Sequence, residues 1–474
     1  MAIPNIMNTG RSGLVAAKAS IATTGHNIAN TNTEGYSRQR VLQGTDQPHP
    51  AVGNHGFIGT GVLINRVERL NDEYVEKQIR NGNRELAHME EKDLALRQTE
   101  DIFNESNGDG INRLMARFFN EFRKLSNEPD NEAIRQAVRE GAQSLVNDFH
   151  RIRKEVDDVR SHIDSRVEGF VKEVNSLAET IRDLNSRIQV IEVSGASAND
   201  LLDKRDLAVK QLAANVEVNV YKDRQGNVNI DLANVGPLVT GPNCEKILVR
   251  RTEADGQGKP ENALTLSTSA NANGDITHVL KGGKIGALLQ TRDQTLSTVL
   301  DRLDELAFNL TSSVNEIHTQ GFSREGLQGI HFFKPSEGKF RASEFISLSD
   351  HVKESAGNIA AAAIPDAPGD NRIAIAISGL QGARIMNGGK STADDFYNSI
   401  ISDVGVATNK NRSGMNQQKD IVTQLGKMRE QISGVSLDEE AANLLQFQHA
   451  FDASAKVIQV ADEMLKTVLD LKRY

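Results

Sequence analysis

Tryptophan is absent from this chain, aromatic residues of all kinds make up 4%, and cysteine occurs once, as Cys244. So few aromatics disfavour a base-stacking surface or an aromatic-lined small-molecule pocket. A lone cysteine excludes an intramolecular disulfide and a cysteine-based metal cage. It suits a cytosolic protein, and equally one that leaves the cell unfolded through a narrow channel. A basic surplus is missing as well: 55 Lys and Arg face 64 Asp and Glu, for a formal charge of -9. No cluster of cations supplies the footprint of a nucleic-acid partner. No apolar run approaches the roughly 18 residues of a membrane span. No cleavable secretory signal is expected either, because Met1 to Asn5 carries no basic residue and the mildly apolar stretch Leu14 to Ala22 is broken by Lys18.

Catalytic patterns are missing too. There is no G-x-S-x-G, no H-E-x-x-H, no P-loop and no G-x-G-x-x-G. Lys281-Gly282-Gly283-Lys284 reads as a turn ahead of a helix more readily than as an anion cradle. His49 and His55, with Asp46 nearby, sit in a Pro- and Gly-rich loop without the rigid spacing of metal ligands, and read as solvated. No catalytic, metal-binding or cofactor-binding residues are therefore expected, and the chain is not expected to be an enzyme.

What is abundant is helical periodicity. Ile3, Met7, Gly10, Leu14, Ala17, Ile21, Thr24 and Ile28 step by threes and fours. So do Leu437, Ala441, Leu444, Gln448, Phe451, Ala455, Ile458, Asp462, Leu465 and Leu469. Both ends are thus amphipathic helices whose stripe needs a partner. Chain ends are normally frayed and polar, so two sticky ends suggest a subunit whose ends pair with each other and with copies of the chain. Gln448 and Asp462 either face solvent as the stripe drifts or fix the register of the packing. Ser436 and Glu439 read as a capping box, and Asp438, Glu439 and Glu440 as acids complementing the helix dipole.

The longest seam is internal, from Leu145 through Phe149, Ile152, Val156, Val159, Ile163, Val167, Phe170, Val174, Leu177, Ile181, Leu184 and Ile188 to Ile191. Walls for it are available in Val75 to Phe103, Leu114 to Leu125, Ile285 to Ile317 and a more weakly patterned helix from Ala393 to Ile432. Between them the period changes to two. Val216, Val218 and Val220, then Val228, Ile230 and Leu232, flank a turn at Lys222 to Asn227, the pattern of a hairpin. Further strands are expected at Ile247 to Val249, Ala263 to Leu266 and Ile276 to Leu280.

The expected fold is mainly α with an inserted β domain: an elongated helical bundle, paired terminal helices and a small β domain set into the rod. Residues 1–45 and 434–474 form the terminal layer. Residues 46–215, 283–320 and 393–433 form the bundle with an extended loop, 216–282 the β insertion, and 321–392 an irregular Gly-rich excursion with possible short strands.

The stretch Thr23-Thr24-Gly25-His26-Asn27-Ile28-Ala29-Asn30-Thr31-Asn32-Thr33-Glu34-Gly35-Tyr36-Ser37-Arg38-Gln39 resembles the N-terminal signature of bacterial flagellar axial proteins. Within it Gly-Tyr-Ser-Arg-Gln is similar to the hook-associated protein 1 (FlgK) family. Asn199-Asp200-Leu201-Leu202-Asp203-Lys204-Arg205-Asp206, Val314-Asn315 to His318 with Gly321, Gly326, Gly329 and Phe332-Phe333, and Val435-Ser436-Leu437-Asp438-Glu439-Glu440-Ala441-Ala442-Asn443-Leu444 agree with it.

The resemblance implies a structural subunit joining hook and filament. It implies a multi-layer rod in which the terminal helices pair as an inner coiled-coil layer, the long seams form a second helical layer and the β insertion projects outward. It implies export by the flagellar type III system, with cytoplasmic residence beforehand. The hypothesis added to it is polymerisation through terminal helices left unpaired in the monomer. Implied partners are copies of the chain in a ring or helical tier, the hook protein, a second hook-associated junction protein and a cytosolic export chaperone, with no nucleic acid and no membrane span. Expected packing residues are Ile3, Met7, Leu14, Ile21, Ile28, Asn30, Gly35, Tyr36, Leu437, Leu444, Phe451, Ile458, Leu465 and Leu469. Leu444, Phe451, Ile458 and Leu465 are also the expected helix-in-groove surface for the chaperone. The rivals are a rod or hook subunit, and a secreted adhesin or enzyme carried on the β insertion.

Overall fold

The longest seam becomes the longest helix, α4 (Glu132–Val193), in a computed structural model that describes residues 2–50, 57–103, 110–252, 263–367 and 369–471. Its core positions Leu145, Phe149, Ile152, Val156, Ile163, Val167, Val174 and Ile181 are all buried. Where the stripe drifts, Val171 and Ala178 are buried in place of Phe170 and Leu177. The chain is mainly α with small β sheets. Other helices are α1 (Ala2–Ala29), α2 (Glu73–Ile102), α3 (Ile111–Asn127), α5 (Asn199–Asn215), α6 (Gly283–Gln290), α7 (Ser297–His318), α8 (Ala342–Phe345), α9 (Asp350–Glu354), α10 (Arg372–Gly379), α11 (Ala393–Ser433) and α12 (Leu437–Leu471).

Two compact units share the chain. One comprises His88–Gly169 and Lys284–Asn416. Its core gathers phenylalanines from α3 and from the Gly-rich excursion. Phe118 meets Phe119, Phe122, Phe332 and Phe333 at ring-centroid separations of 5.1 to 6.0 Å, mostly edge to face. Asn315 of α7 holds the excursion there: its Oδ1 accepts from the amides of Phe332 and Phe333, each at 2.9 Å, and its Nδ2 donates to the Phe333 carbonyl at 2.9 Å. Between Leu288 and Leu296 the seam skips a step. The backbone there winds as a π-helical turn, Thr291–Leu296, whose Arg292 pairs with Asp164 at 2.6 Å and Asp293 at 2.7 Å.

His318 ends α7 fully buried. Its Nδ1 lies 2.7 Å from the Ile330 carbonyl and its Nε2 accepts from the Ala360 amide at 2.9 Å, which fixes the neutral, Nδ1-protonated tautomer. Burial lowers its pKa from 6.5 to about 4, so protonation favours the unfolded chain. The stabilisation is complete above about pH 6.5, declines as the pH falls, and is gone below about 4, a span of about 3 kcal/mol. Urea midpoints taken from pH 7 to pH 4.5 should therefore fall more steeply for the natural chain than for His318→Asn.

The other unit comprises Met1–Ala87, Phe170–Gly283 and Gln417–Tyr474. Strands β5 (Val218–Lys222), β6 (Val228–Leu232), β7 (Gly236–Thr240) and β8 (Asn243–Cys244) form an antiparallel sheet in sequence order, and β9 (Ile247–Thr252) pairs with β10 (Ala263–Thr268). Two asparagines of α4 grip these sheets by both amide atoms. Asn185 bonds the Val228 carbonyl and amide at 2.8 and 3.2 Å, and Asn175 bonds those of Ile247, each at 2.9 Å.

Residues Ile276 to Leu280 form turns, not the expected strand. Asp275 Oδ1 accepts from the Thr277 amide at 2.9 Å and the Thr277 hydroxyl accepts from the Leu266 amide at 2.8 Å, so a local Asx turn replaces the ladder. Strands β1 (Gln39–Thr45) and β4 (Val62–Arg69) pair antiparallel, so residues 39–45, expected in the terminal helical layer, are a strand instead. Between them β2 (His49–Pro50) pairs with β3 (Phe57–Ile58). His55 lies outside the described residues, as do the side chains of His49 and Ile3.

Candidate assembly site: the terminal helix pair and its joint

Within one chain α1 already lies against α12. Gly10 sits by Ser454, Val457 and Ile458, while Asn27 reaches Glu440, so the helices run antiparallel. The buried face of α1 is built from small residues: Gly10, Ala17, Ser20, Thr24 and Asn27, spaced at heptad intervals. A Cβ on Gly10 would come within 2.8 Å of Ile458 Cγ1 and 3.3 Å of the Ser454 carbonyl, and one on Gly13 within 2.8 Å of Ser454 Oγ. Only glycine permits that approach. Gly10→Val should cost about 1–3 kcal/mol through overpacking. Hydrogen-exchange mass spectrometry should show α1 losing protection in that variant.

On α12 the face toward α1 is Leu444, Phe447, Phe451, Ser454, Ile458 and Ala461, all half-buried or buried. Leu14, Ile21 and Ile28 are half-buried, Met7 is exposed, and Leu437, Leu465 and Leu469 are exposed. Gln448 faces solvent and Asp462 pairs with Lys466 at 2.8 Å. A second stripe at helical spacing, Val460, Met464 and Val468, stays 40 to 52% exposed. This surface is apolar, ordered and uncovered. Pairing of the ends with each other agrees with the expected terminal coiled coil and replaces only the hypothesis that they stay unpaired in the monomer; the second stripe is what remains open.

The joint behind the pair is polar and fully wired. Asn27, 1% exposed, uses all four of its side-chain bonds. Its Oδ1 accepts from the Tyr36 hydroxyl at 2.7 Å and the Gln39 amide at 3.0 Å; its Nδ2 donates to the Gln39 carbonyl at 2.9 Å and Glu440 Oε2 at 3.0 Å. Glu440, also 1% exposed, accepts from Arg38 Nε at 2.7 Å. Burial, with Asp200, Asp203 and Glu440 nearby, pushes the Tyr36 hydroxyl well above its usual pKa and keeps it a donor.

From the other side α5 closes on the same turn. Asp203 accepts from the Ser37 amide at 3.0 Å and from Arg69 at 2.7 Å; Gln39 donates to Asp200 at 2.9 Å and accepts from Asn199 at 3.1 Å. The Arg38 amide donates to the Ser433 carbonyl at 3.0 Å, and Arg429 of α11 pairs with Glu76 at 2.6 Å. Gly35 makes the reversal possible with φ +83° and Leu207 Cβ 3.2 Å from where a Cβ would stand. Asn30 closes the end of α1, its Nδ2 donating to the His26 carbonyl at 3.0 Å.

Three of the motifs singled out in the sequence therefore converge on one joint: Asn27 to Gln39, Asn199 to Asp206, and Val435 to Leu444. The fourth, Val314 to Phe333, builds the phenylalanine core of the other unit. Sequence reasoning missed Asn27 and misassigned Glu440. The capping box is half made: Ser436 Oγ accepts from the Glu439 amide at a long 3.5 Å, but the Glu439 carboxylate is spent on Arg38 at 2.8 Å. What could have exposed both residues is their phase, since Asn27 and Glu440 continue the inward steps of α1 and α12.

Among the described residues no group of three or more His, Cys, Asp or Glu is placed to hold a metal, and no helix is long and apolar enough to cross a membrane. Cys244 is half-buried, and burial raises its thiol pKa.

Comparisons with known proteins give this arrangement its family. The profile of the flagellar hook-associated protein FlgK helical domain matches residues 96–333, that of the flagellar basal body rod FlgEFG protein C-terminal matches 430–471, and that of the flagella basal body rod protein matches 7–36. Flagellar hook-associated protein 1 of Bacillus subtilis (strain 168) is 31% identical over 98% of this chain and 97% of its own. That of Salmonella typhimurium is 25% identical over 99% and 100%. The solved flagellar hook junction protein FlgK from Burkholderia pseudomallei shares the fold at a TM-score of 0.65 and 16% identity, covering 76% of this chain and 100% of that one. With a relative this similar along nearly its whole length, the chain belongs to the flagellar hook-associated protein FlgK family.

Proposed function

We propose that the chain is a non-enzymatic structural subunit at the junction of hook and filament, outside the cell. It polymerises when the open stripe of α12 packs against the terminal helices of neighbouring copies. The observation that carries this reading is that stripe: Val460, Met464 and Val468 lie exposed on a helix whose other face is already satisfied by α1. Three such side chains, each about half exposed and so contributing roughly 0.7–1.5 kcal/mol when covered, favour packing between copies at every subunit of the assembly. A contact of α12 with a different face of the next copy is heterologous, and such contacts close into a ring or continue as a helical tier.

The remaining partners follow the same surface. The hook protein and a second junction protein bound the tier below and above. Export proceeds through the flagellar type III channel, where a single cysteine leaves no cross-link to obstruct an unfolded chain. In the cytoplasm an export chaperone takes Leu444, Phe451, Ile458 and Leu465 in a groove. Because the first three face α1, chaperone and α1 compete for the same side of α12.

One observation favours the alternative of a rod or hook subunit, since both chain ends match rod-protein profiles. Deleting the gene separates the two. An intact hook without a filament is the expected result, and loss of the hook itself would support the rod or hook alternative.

A further inference from the structure

We propose that the cavity bounded by β4, α2, α5 and the β5–β6 hairpin is a receptor for the carboxylate of an acidic peptide side chain. It encloses about 520 Å³, within the range of ligand sites. No residue of α1 or α12 lines it, so this proposal stands apart from the assembly reading.

Five cations and five acids line the wall, Glu192 among the acids, but they do not all pair with one another. Arg66 pairs with Glu68 at 3.4 Å, Arg69 with Asp206 at 2.9 Å, and Lys222 with Glu73 at 2.6 Å, while Glu76 is held by Arg429 at 2.6 Å. Beside the exposed Glu192 of α4, Arg80 of α2 and Lys210 of α5 remain, both half-buried and both lining the cavity, an excess of one positive charge. Among the described residues neither makes an ion pair. Arg80 feels the charges of Asp206, Glu76 and Glu73, but each of those acids is engaged by another cation, and burial lowers the Arg80 pKa. A desolvated guanidinium without its own counter-ion is costly, and an arriving carboxylate relieves that cost with a two-pronged bond.

The rest of the lining selects the ligand class. Leu202, Val209, Val220 and Val228 offer an apolar wall to the methylenes of a Glu side chain or to its neighbours in the peptide. The acids already present disfavour a doubly charged group such as phosphate, whose second charge they repel, while a single carboxylate matches the charge left over.

The test uses the full chain and the tripeptide acetyl-Leu-Glu-Val-amide in ligand-observed NMR titrations, with its Gln counterpart and inorganic phosphate as comparison probes. The expected result is saturable binding of the Glu peptide, at least tenfold weaker binding of the Gln peptide, and at least fivefold weakening by Arg80→Gln and by Lys210→Gln. Arg80→Lys retains part of the affinity, and unchanged thermal melting shows that the variants are folded. Equal binding of the Glu and Gln peptides, undiminished binding by Arg80→Gln, or no binding at all overturns the proposal. Phosphate that binds as tightly as the Glu peptide also overturns it, by marking a general anion site.

Discussion

Replacing Glu440 with alanine should destabilise the joint by about 3–5 kcal/mol, the cost of stripping one partner from a buried charge pair. Glu440 is the point where Arg38 and Asn27 meet α12. Its loss leaves the guanidinium half-desolvated without that partner and opens one of the four bonds of Asn27. The neighbouring Glu439→Ala is the internal comparison. That carboxylate also touches Arg38, but its side chain is 62% exposed, so its removal should cost about 1 kcal/mol or less. Equilibrium urea denaturation of the two variants, with hydrogen exchange read over residues 436–447, gives the answer. Similar losses in both would refute a buried keystone role for Glu440.

Phe332→Ala should be comparably severe in the other unit, at about 3–5 kcal/mol for a large cavity in an aromatic core. Its ring touches Phe118, Phe122, Phe333 and His318 at centroid separations of 4.8 to 5.7 Å, so no single neighbour can move in to fill the gap. The substitution also loosens the excursion, because the Phe332 backbone is one of the groups held by Asn315. Phe345→Ala, at a ring 63% exposed, should change the urea midpoint little, within roughly 0.5 kcal/mol.

The contrast between these sites shows what the sequence could reveal. Long helices were legible because a 3.6-residue period writes itself into apolar spacing. Helix α4 and even the weakly patterned α11 lie where the pattern puts them. The pairing of α1 with α12 was only half legible. Its inner face is Gly10, Ala17, Ser20, Thr24 and Asn27, which pack by closeness more than by hydrophobicity, so the larger apolar residues of α1 drew attention to a neighbouring face. Glu440 was hidden for a different reason: an acid in a first turn satisfies the helix dipole whether it is buried or not. The β1–β4 hairpin escaped because 16 residues separate its strands, far beyond the 2–5 of an ordinary hairpin loop. The Gly-rich excursion gave no periodic signal, since Asn315 and His318 hold it through backbone bonds that no spacing rule reports.

The account rests on the claim that the exposed stripe of α12 is covered only when copies assemble. The direct measurement is maleimide labelling of Val460→Cys in a Cys244→Ser background, in the purified monomer and in intact flagella. Val460 is 40% exposed in the single chain, so the monomer should label readily. In assembled flagella labelling should slow at least tenfold as neighbouring helices cover the position. Equal labelling in both states would contradict the account.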